Sequence, residues 1–398
     1  MTRFGAAMEK IDERIPGVDL PLMSVSQTKG VVRRSELTDA PQRAESLDAY
    51  KVCRKGDVVF NKMKIRSGAM GVAHEDGLVT YHYEVMRPRE GMDPRYIIHL
   101  MKSSWFTSEL IARERGISAG GEHGGIRTTE VPFTVLRMID VPLPEIDEQR
   151  AIADYLDHET ARIDTLIEEQ QRLIEILRER RQAVVDTAFD ALGEPSVQLR
   201  RYIKFLTSGS RGWGDYYADE GERFLRIGNL PRTNLSIRGE VQFVSLPADV
   251  TEGSRTMLEA GDLLFSITAY LGSVAVVDSD WIGSYVSQHV ALCRLDPDRL
   301  DSRFAGWFML TTAGQDQLNR GAAGGAKMQL ALDDIKSLRV PTASIAEQHR
   351  IAAHLDEQTA KIDALITETQ RLIELARERR AALITVGVTG QADVREAT

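Results

Sequence analysis

Cysteine is nearly missing from the 398 residues: Cys53 and Cys293 stand far apart, with no C-x-x-C and no neighbouring histidine pair. That leaves neither a disulfide framework nor a structural zinc site, and reads as two reduced thiols in a reducing compartment. Long apolar runs are lacking too. No stretch of eighteen apolar residues occurs, and the opening MTRFGAAMEKIDERIPG has no apolar core of signal-peptide length, so we expect a cytoplasmic protein with no membrane segment. Catalytic signatures are also absent. There is no G-x-x-x-x-G-K-[ST], H-E-x-x-H or G-x-S-x-G, no glycine fingerprint of a dinucleotide site, and no (D/N)PP(Y/F) tetrapeptide of an adenine methyltransferase. Pro297-Asp298 followed by Asp334-Ile335-Lys336 has the outline of a metal-dependent nuclease signature, but the first half of the chain carries Val135 where Asp334 should be matched. The eight histidines are scattered without metal-ligand spacing, so we expect no catalytic residue, metal or cofactor on the chain itself.

An excess of positive charge is missing as well, since the net charge is −9. This argues against nucleic acid only until its distribution is counted: about +2 over residues 1–141, −8 over 142–196, −1 over 197–340 and −2 over 341–398. Essentially all the surplus acid sits on two related stretches.

Those stretches organise the chain. IDEQRAIADYLDHETARIDTLIEEQQRLIEILRERRQAV returns as IAEQHRIAAHLDEQTAKIDALITETQRLIELARERRAAL, without a gap and with roughly 24 of about 40 positions identical. Prolines precede each copy, at Val141–Pro144 and Val340–Pro341, and bar helix before them. Within the copies, apolar residues follow heptads. We expect a helix-pair seam at Ile152, Leu156, Ile163, Leu166, Leu173 and Leu177, and at Ile351, Leu355, Ile362, Leu365 and Leu372, with Ile167, Ile174, Ile366 and Ile373 widening the stripe. Gln170 and Thr369 hold the central seam position. If the matching stripes bury each other, the second helix runs back along the first, giving an antiparallel coiled-coil spacer with a pseudo-twofold repeat. The expected organisation is a head over 1–141, a helix region over 142–192, a second head over 193–340, and a helix region with its tail over 341–398.

The heads read as α/β (α+β) domains. KGDVVF (Lys55–Phe60) matches AGDLLF (Ala260–Phe265), YHYEVMR (Tyr81–Arg87) resembles QHVALCR (Gln288–Arg294), and each head ends in a glycine-rich loop, Gly116–Arg127 and Arg320–Leu330. Nearly identical spacers thus carry dissimilar heads. Candidate DNA contacts in the first head are Lys29, Arg33 and Arg34, then Lys62, Lys64 and Arg66 on one face of an extended segment, and Arg113, Arg115 and Arg127 around the glycine loop. The second head offers Arg211 and Trp213 on a loop, Tyr270 and Gln288 by the shared strands, and Arg320 and Lys327 at its glycine loop. Arginine can read guanine and glutamine adenine, while lysine and glycine-loop amides suit phosphate.

The spacers resemble the specificity subunit of type I restriction-modification enzymes, through LPEIDEQRAIADYLD, the R-I-D-x-L-I core at Arg162–Ile167, QRLIE, LRERRQAVV and ALITVGVTGQADVRE at Ala382–Glu396. The first head departs in one respect, a shorter lead before its GDVVF strand than the second head has. The resemblance implies two target-recognition domains that each read half of a bipartite site in double-stranded DNA, with the helices as ruler. It also implies two docked modification (methyltransferase) subunits and restriction/translocase subunits, which carry S-adenosylmethionine, ATP and Mg. A coiled-coil protein-interaction scaffold and a single-chain methyltransferase or endonuclease are the alternatives.

Overall fold

The computed structural model describes residues 1–40, 46–113, 131–247, 253–320 and 329–391. It divides into two units, residues 1–171 with 371–398, and residues 172–370.

In the first unit, strands β1 (Met8–Ile11), β2 (Val58–Asn61), β3 (Met70–Val72) and β4 (Tyr83–Pro88) form an antiparallel sheet ordered β1-β4-β2-β3. The GDVVF strand is apolar throughout rather than alternating because both its faces are covered. Val58 and Phe60 join Phe4, Met86, Tyr96 and Ile97 on the helical side, while Val59 joins Met23, Val31, Cys53 and Val85 on the other. Asp93 accepts the Arg95 N–H and caps helix α1 (Pro94–Lys102), whose first residue is proline, the residue best tolerated there. The long helix α2 (Ile146–Thr187) follows.

The second unit repeats this plan. β5 (Ile203–Ser208), β6 (Leu263–Ser266), β7 (Val274–Val276) and β8 (Val290–Leu295) form an antiparallel sheet ordered β5-β8-β6-β7. Asp301 caps helix α3 (Ser302–Met309), and α4 (Ile345–Thr389) is the second long helix. The motif shared by the heads is a staple between strands. Asp57, just before β2, accepts two bonds from Arg87 at 2.8 and 3.0 Å, and Asp262, just before β6, accepts two from Arg294 at 2.8 and 2.9 Å. Gly56 and Gly261 have φ of +93° and +84°, so the turns leading into both aspartates require glycine. The heads differ in what lies between their first and second strands. The first has a hairpin, Met23–Ser26 with Gly30–Arg33; the second has strands Tyr217–Ala218, Glu222–Leu225 and Gln242–Val244 in a further four-stranded sheet.

Each head is held to a long helix by one clamp. The buried Gln149 of α2 accepts the Asp93 N–H and donates to the Gly91 and Pro144 carbonyls; Gln348 of α4 accepts the Asp301 N–H and donates to the Arg299 and Ala343 carbonyls. About two helical turns further on, Asp157 takes Arg95 and His99, while Asp356 takes Arg303 and Trp307.

Within each unit the helices run antiparallel. In the first, Leu156 lies against Gly387 and Asp164 meets Arg380; in the second, Arg181 meets Asp363, and Val185 shares a core with Ile351, Ala352 and Leu355. The buried row is Leu156, Thr160, Ile163, Ile167, Ile174, Leu177 and Arg181, with Leu355, Thr359, Ile362, Thr369, Ile373 and Ala376 on α4. Ile152, Leu156, Ile163, Leu177, Ile351, Leu355 and Ile362 are buried. Four seam assignments are corrected: Leu166, Leu173, Leu365 and Leu372 are 37%, 39%, 50% and 42% exposed. A seam can take its second row on either side of the 156/163/177 line. The side that faces inward contains Thr160 and Arg181, so a count of apolar residues favours the wrong one. Both buried threonines are satisfied locally, donating to the Leu156 and Leu355 carbonyls, and Thr369 likewise bonds to Leu365 of its own helix.

Candidate nucleic-acid interface

The end of the GDVVF strand gathers several of the candidate residues in each head. In the first head the Lys62 N–H donates to the His82 carbonyl, and the Val131 N–H donates to the Lys62 carbonyl, so the chain returning from the glycine loop arrives beside the strand end. In the second head Ile267 occupies the same place: its N–H donates to the His289 carbonyl and its carbonyl accepts from Leu330. In both heads a residue where the described chain resumes, Val131 or Leu330, therefore bonds to the strand end between the shared motifs. The structure brings Lys62, Lys64 and Arg66 to this edge in the first head, and Arg211, Tyr270 and Gln288 in the second.

Lys62, Lys64 and Arg66 do not form the extended row the alternation predicts. Asn61 ends the strand, and Ile65–Ser67 form a 3-10 turn closed by Gly68 at φ +76°. Ile65 is an anchor in the core, which tightens the segment and leaves Lys64 and Arg66 exposed on a turn. Trp213 is also corrected. It is 3% exposed and packs against Phe224 and Tyr285 with centroids 5.5 and 5.2 Å away, because a loop rich in glycine lets the indole fold inward. Arg211 beside it stays exposed. Lys29 and Arg33 lie on the separate hairpin of the first head, with Arg34 just after it; Arg33 is paired with Glu75 at 2.6 Å, and Arg113 is paired with Glu109 one helical turn back. Arg320 ends the helix Thr312–Arg320, and Arg115, Arg127 and Lys327 lie outside the described residues.

Sequence reasoning missed the residues that hold the second head's edge. His289 Nδ1 lies 2.9 Å from the Thr268 hydroxyl and its Nε2 lies 3.2 Å from the Gln288 amide nitrogen. With Thr268 accepting from Nδ1–H, Nε2 is free to accept from Gln288, which fixes the amide plane and leaves its oxygen and second N–H able to hydrogen-bond elsewhere. Ala269, at φ +46°, is the one non-glycine residue with positive φ among the described residues. That strained turn precedes Tyr270, which is exposed with the Arg232 guanidinium 5.9 Å from its ring centre. In the first head the exposed Tyr81 ring lies tilted against His82, with centroids 3.9 Å apart. The signal for these residues was the histidine common to YHYEVMR and QHVALCR.

Reactive chemistry is not apparent at these edges. Burial pushes the Cys53 thiol up to about 11 and the Cys293 thiol up to about 12, so neither is a nucleophile near neutrality. Asp334 caps its own short helix by accepting the Ala331 N–H, and Lys336 pairs with Asp333, an arrangement of local helix capping. No group of acidic, histidine or cysteine side chains among the described residues is arranged to hold a metal, and no described helix is long and apolar enough to cross a membrane.

Residues 249–376 match the family model for the type I restriction modification DNA specificity domain. The StySPI specificity subunit of Salmonella potsdam is 21% identical over 328 residues, 77% of this chain and 67% of that one. The EcoKI specificity subunit of Escherichia coli K12 is 23% identical over 326 residues, again 77% and 67%. Residues 249–376 thus match that DNA specificity domain, and the chain resembles specificity subunits of type I restriction-modification systems over 77% of its length. Solved structures agree on the fold. A chain from a study of type I R-M complex assembly superposes with TM-score 0.74 at 17% identity, over 97% of this chain and 96% of that one. The HsdS subunit of Thermoanaerobacter tengcongensis gives 0.58 at 19% identity, over 98% and 96%.

Proposed function

We propose that this chain is a specificity subunit that reads double-stranded DNA in two places, each head recognising one half of a bipartite site, and that it performs no chemistry itself. The observation that carries the reading is the repetition of sheet, staple and glutamine clamp in both units while the residues at the strand ends differ beside a shared histidine: Lys62 and Tyr81 in one, Ile267 and Gln288 in the other. Recognition of two unlike half-sites from equivalent positions needs that combination. The edges pair phosphate-type contacts from Lys62 and Lys64 with base-edge contacts from Gln288.

The long helices set the separation of the reading edges and dock two modification subunits, with restriction/translocase subunits joining the assembly. The partners supply S-adenosylmethionine, ATP and Mg in the cytoplasm. Mapping methylated adenines in the host genome with and without this gene tests the reading. The expected result is a two-part sequence with a fixed gap that vanishes on deletion, and exchange of residues 1–141 for another head should change one half-site only. An unaltered methylation map, or methylation by the purified chain alone, would overturn it.

A further inference from the structure

Behind the reading edge of the second head lies a cavity of about 210 Å³, lined among others by Trp213, Tyr217, Phe224, Arg226, Ser287 and Gln288. Its volume decides what fits. Sites for drug-sized ligands run to about 300–1,000 Å³, so this one takes a single small ring system. Its chemistry narrows the choice further. Trp213, Phe224 and Tyr217 form a continuous aromatic cluster, with centroids 5.5 and 6.1 Å apart along it, a wall suited to a flat ring. Ser287 is 94% buried and its hydroxyl has no hydrogen-bond partner, a cost that proteins rarely leave in place without a ligand or water to relieve it. The Gln288 amide is held by His289, itself fixed by Thr268, while Arg226 is exposed. Flat, apolar faces together with several edge donors and acceptors describe a heterocycle rather than a hydrocarbon or a simple anion.

We propose that this cavity binds a nucleobase, with the ring against the aromatic cluster and its edge bonded to Ser287, Gln288 and Arg226. The base comes either from the bound duplex, turned out of the stack as base-reading enzymes do, or from solution as a free base or nucleoside; the first source rests on the DNA reading above. Arg226 and Gln288 then serve the pocket as well as the surface.

Two arms of one experiment separate the sources. The full chain is titrated with adenine, guanine, cytosine and thymidine by calorimetry. In parallel, its complex with the modification subunits is titrated with a duplex carrying 2-aminopurine at each position of the second half-site in turn. Ser287→Ala should weaken binding about tenfold in whichever arm responds, the worth of one hydrogen bond, and should leave the thermal midpoint equal or higher because the lost hydroxyl had no partner. A fluorescence rise at one duplex position that Ser287→Ala suppresses identifies a turned-out base; heat from free ligand alone identifies a soluble one. The proposal falls if neither arm responds to Ser287→Ala, or if that variant lowers the midpoint, which would make the hydroxyl structural. Salt-dependent DNA binding unaffected by Ser287→Ala, together with no free-ligand binding that the variant weakens, sinks the pocket and spares the DNA reading. If the complex binds no DNA, the DNA reading fails and the free-ligand arm alone decides the pocket.

Discussion

Arg181 of α2 bonds Asp363 of α4 at 2.8 and 3.2 Å, and the same pair recurs with helices exchanged as Arg380 and Asp164 at 2.8 and 3.0 Å. The repeat offset is shared, since 380 − 181 = 363 − 164 = 199. Parallel duplicated helices would not return one pair with its partners swapped; antiparallel ones must. The guanidinium of Arg181 is nearly buried and also lies 5.8 Å from the Trp307 ring centre, whereas Arg380 is a third exposed. Arg181→Ala should therefore destabilise the chain by roughly 2 kcal/mol, between the cost of breaking a buried pair and that of an exposed one. Arg380→Ala should cost about 1 kcal/mol or less. Urea unfolding of both variants followed by circular dichroism checks the order, and equal losses would remove the argument from burial.

Gln149 and Gln348 make a sharper test of how each head is attached. Gln149→Ala strands the Asp93 N–H and two carbonyls in a buried place, at about 1–3 kcal/mol for each group that water cannot reach. The damage should stay local. Hydrogen exchange is expected to speed up in α1 and the start of α2 for Gln149→Ala, and in α3 and the start of α4 for Gln348→Ala. Acceleration in the untouched head after either change would contradict independent clamps.

How far these features were legible in the sequence depends on which signal each one leaves. Duplication and heptads announced both long helices and their direction, because gapless identity and apolar periodicity survive in one dimension. The GDVVF and AGDLLF strands were legible for the same reason. The seam's inner row was not, since Thr160 and Arg181 face inward yet look like surface. Their acceptability depends on the Leu156 carbonyl and on Asp363, which only the fold brings to them. Gln149 and Gln348 read as ordinary polar helix residues for that reason also. Among the candidate contacts, Trp213 was misread because an aromatic in a glycine-rich loop gives no hint of which way it turns; the role of His289 needed Thr268, 21 residues away, to come alongside.

Contacts at the reading edges should separate by type. Lys64 is exposed on its turn, so Lys64→Ala should weaken DNA binding by the assembled complex similarly for all sequences and reduce the slope of log K against log salt by about 1. Gln288→Ala should instead cost about 1–3 kcal/mol at one base pair and leave the salt slope alone. Fluorescence anisotropy over a salt series, repeated on single-base variants of the site, distinguishes them. His289→Ala should mimic Gln288→Ala in part, because the amide loses its fixed plane; loss confined to the salt slope would instead assign Gln288 to phosphate.

Both thiols should weaken the fold at alkaline pH. Burial raises Cys53 from 9.0 to about 11 and Cys293 from 9.0 to about 12, so between those values the unfolded chain has released protons that the folded chain keeps. Stability then falls as pH rises through that window and is unaffected by these groups below about 9. The full loss is on the order of 3 kcal/mol per thiol. Unfolding midpoints of the wild type and of Cys53→Ala with Cys293→Ala, measured from pH 8 to 11, should converge as pH rises. Midpoints that keep a constant difference would mean the thiols titrate alike in both states.

The misassigned leucines have a use that their exposure suggests. Leu166, Leu372 and Leu375 of the first unit, and Leu173, Ile176 and Leu365 of the second, are large apolar side chains left in water at repeat-related positions. Scattered surface leucines are ordinary, but the same three exposed positions recur in both copies, as the proposed docking of two modification subunits, one on each set, would require. Apolar side chains already exposed contribute little to the stability of the free chain. Leu372→Glu with Leu375→Glu should therefore leave its unfolding midpoint within about 0.5 kcal/mol while abolishing binding of one modification subunit, and Leu173→Glu with Ile176→Glu should remove the other. Native mass spectrometry of the reconstituted complex counts the subunits directly. A full complement bound to the quadruple variant would show that docking uses another face of the helices.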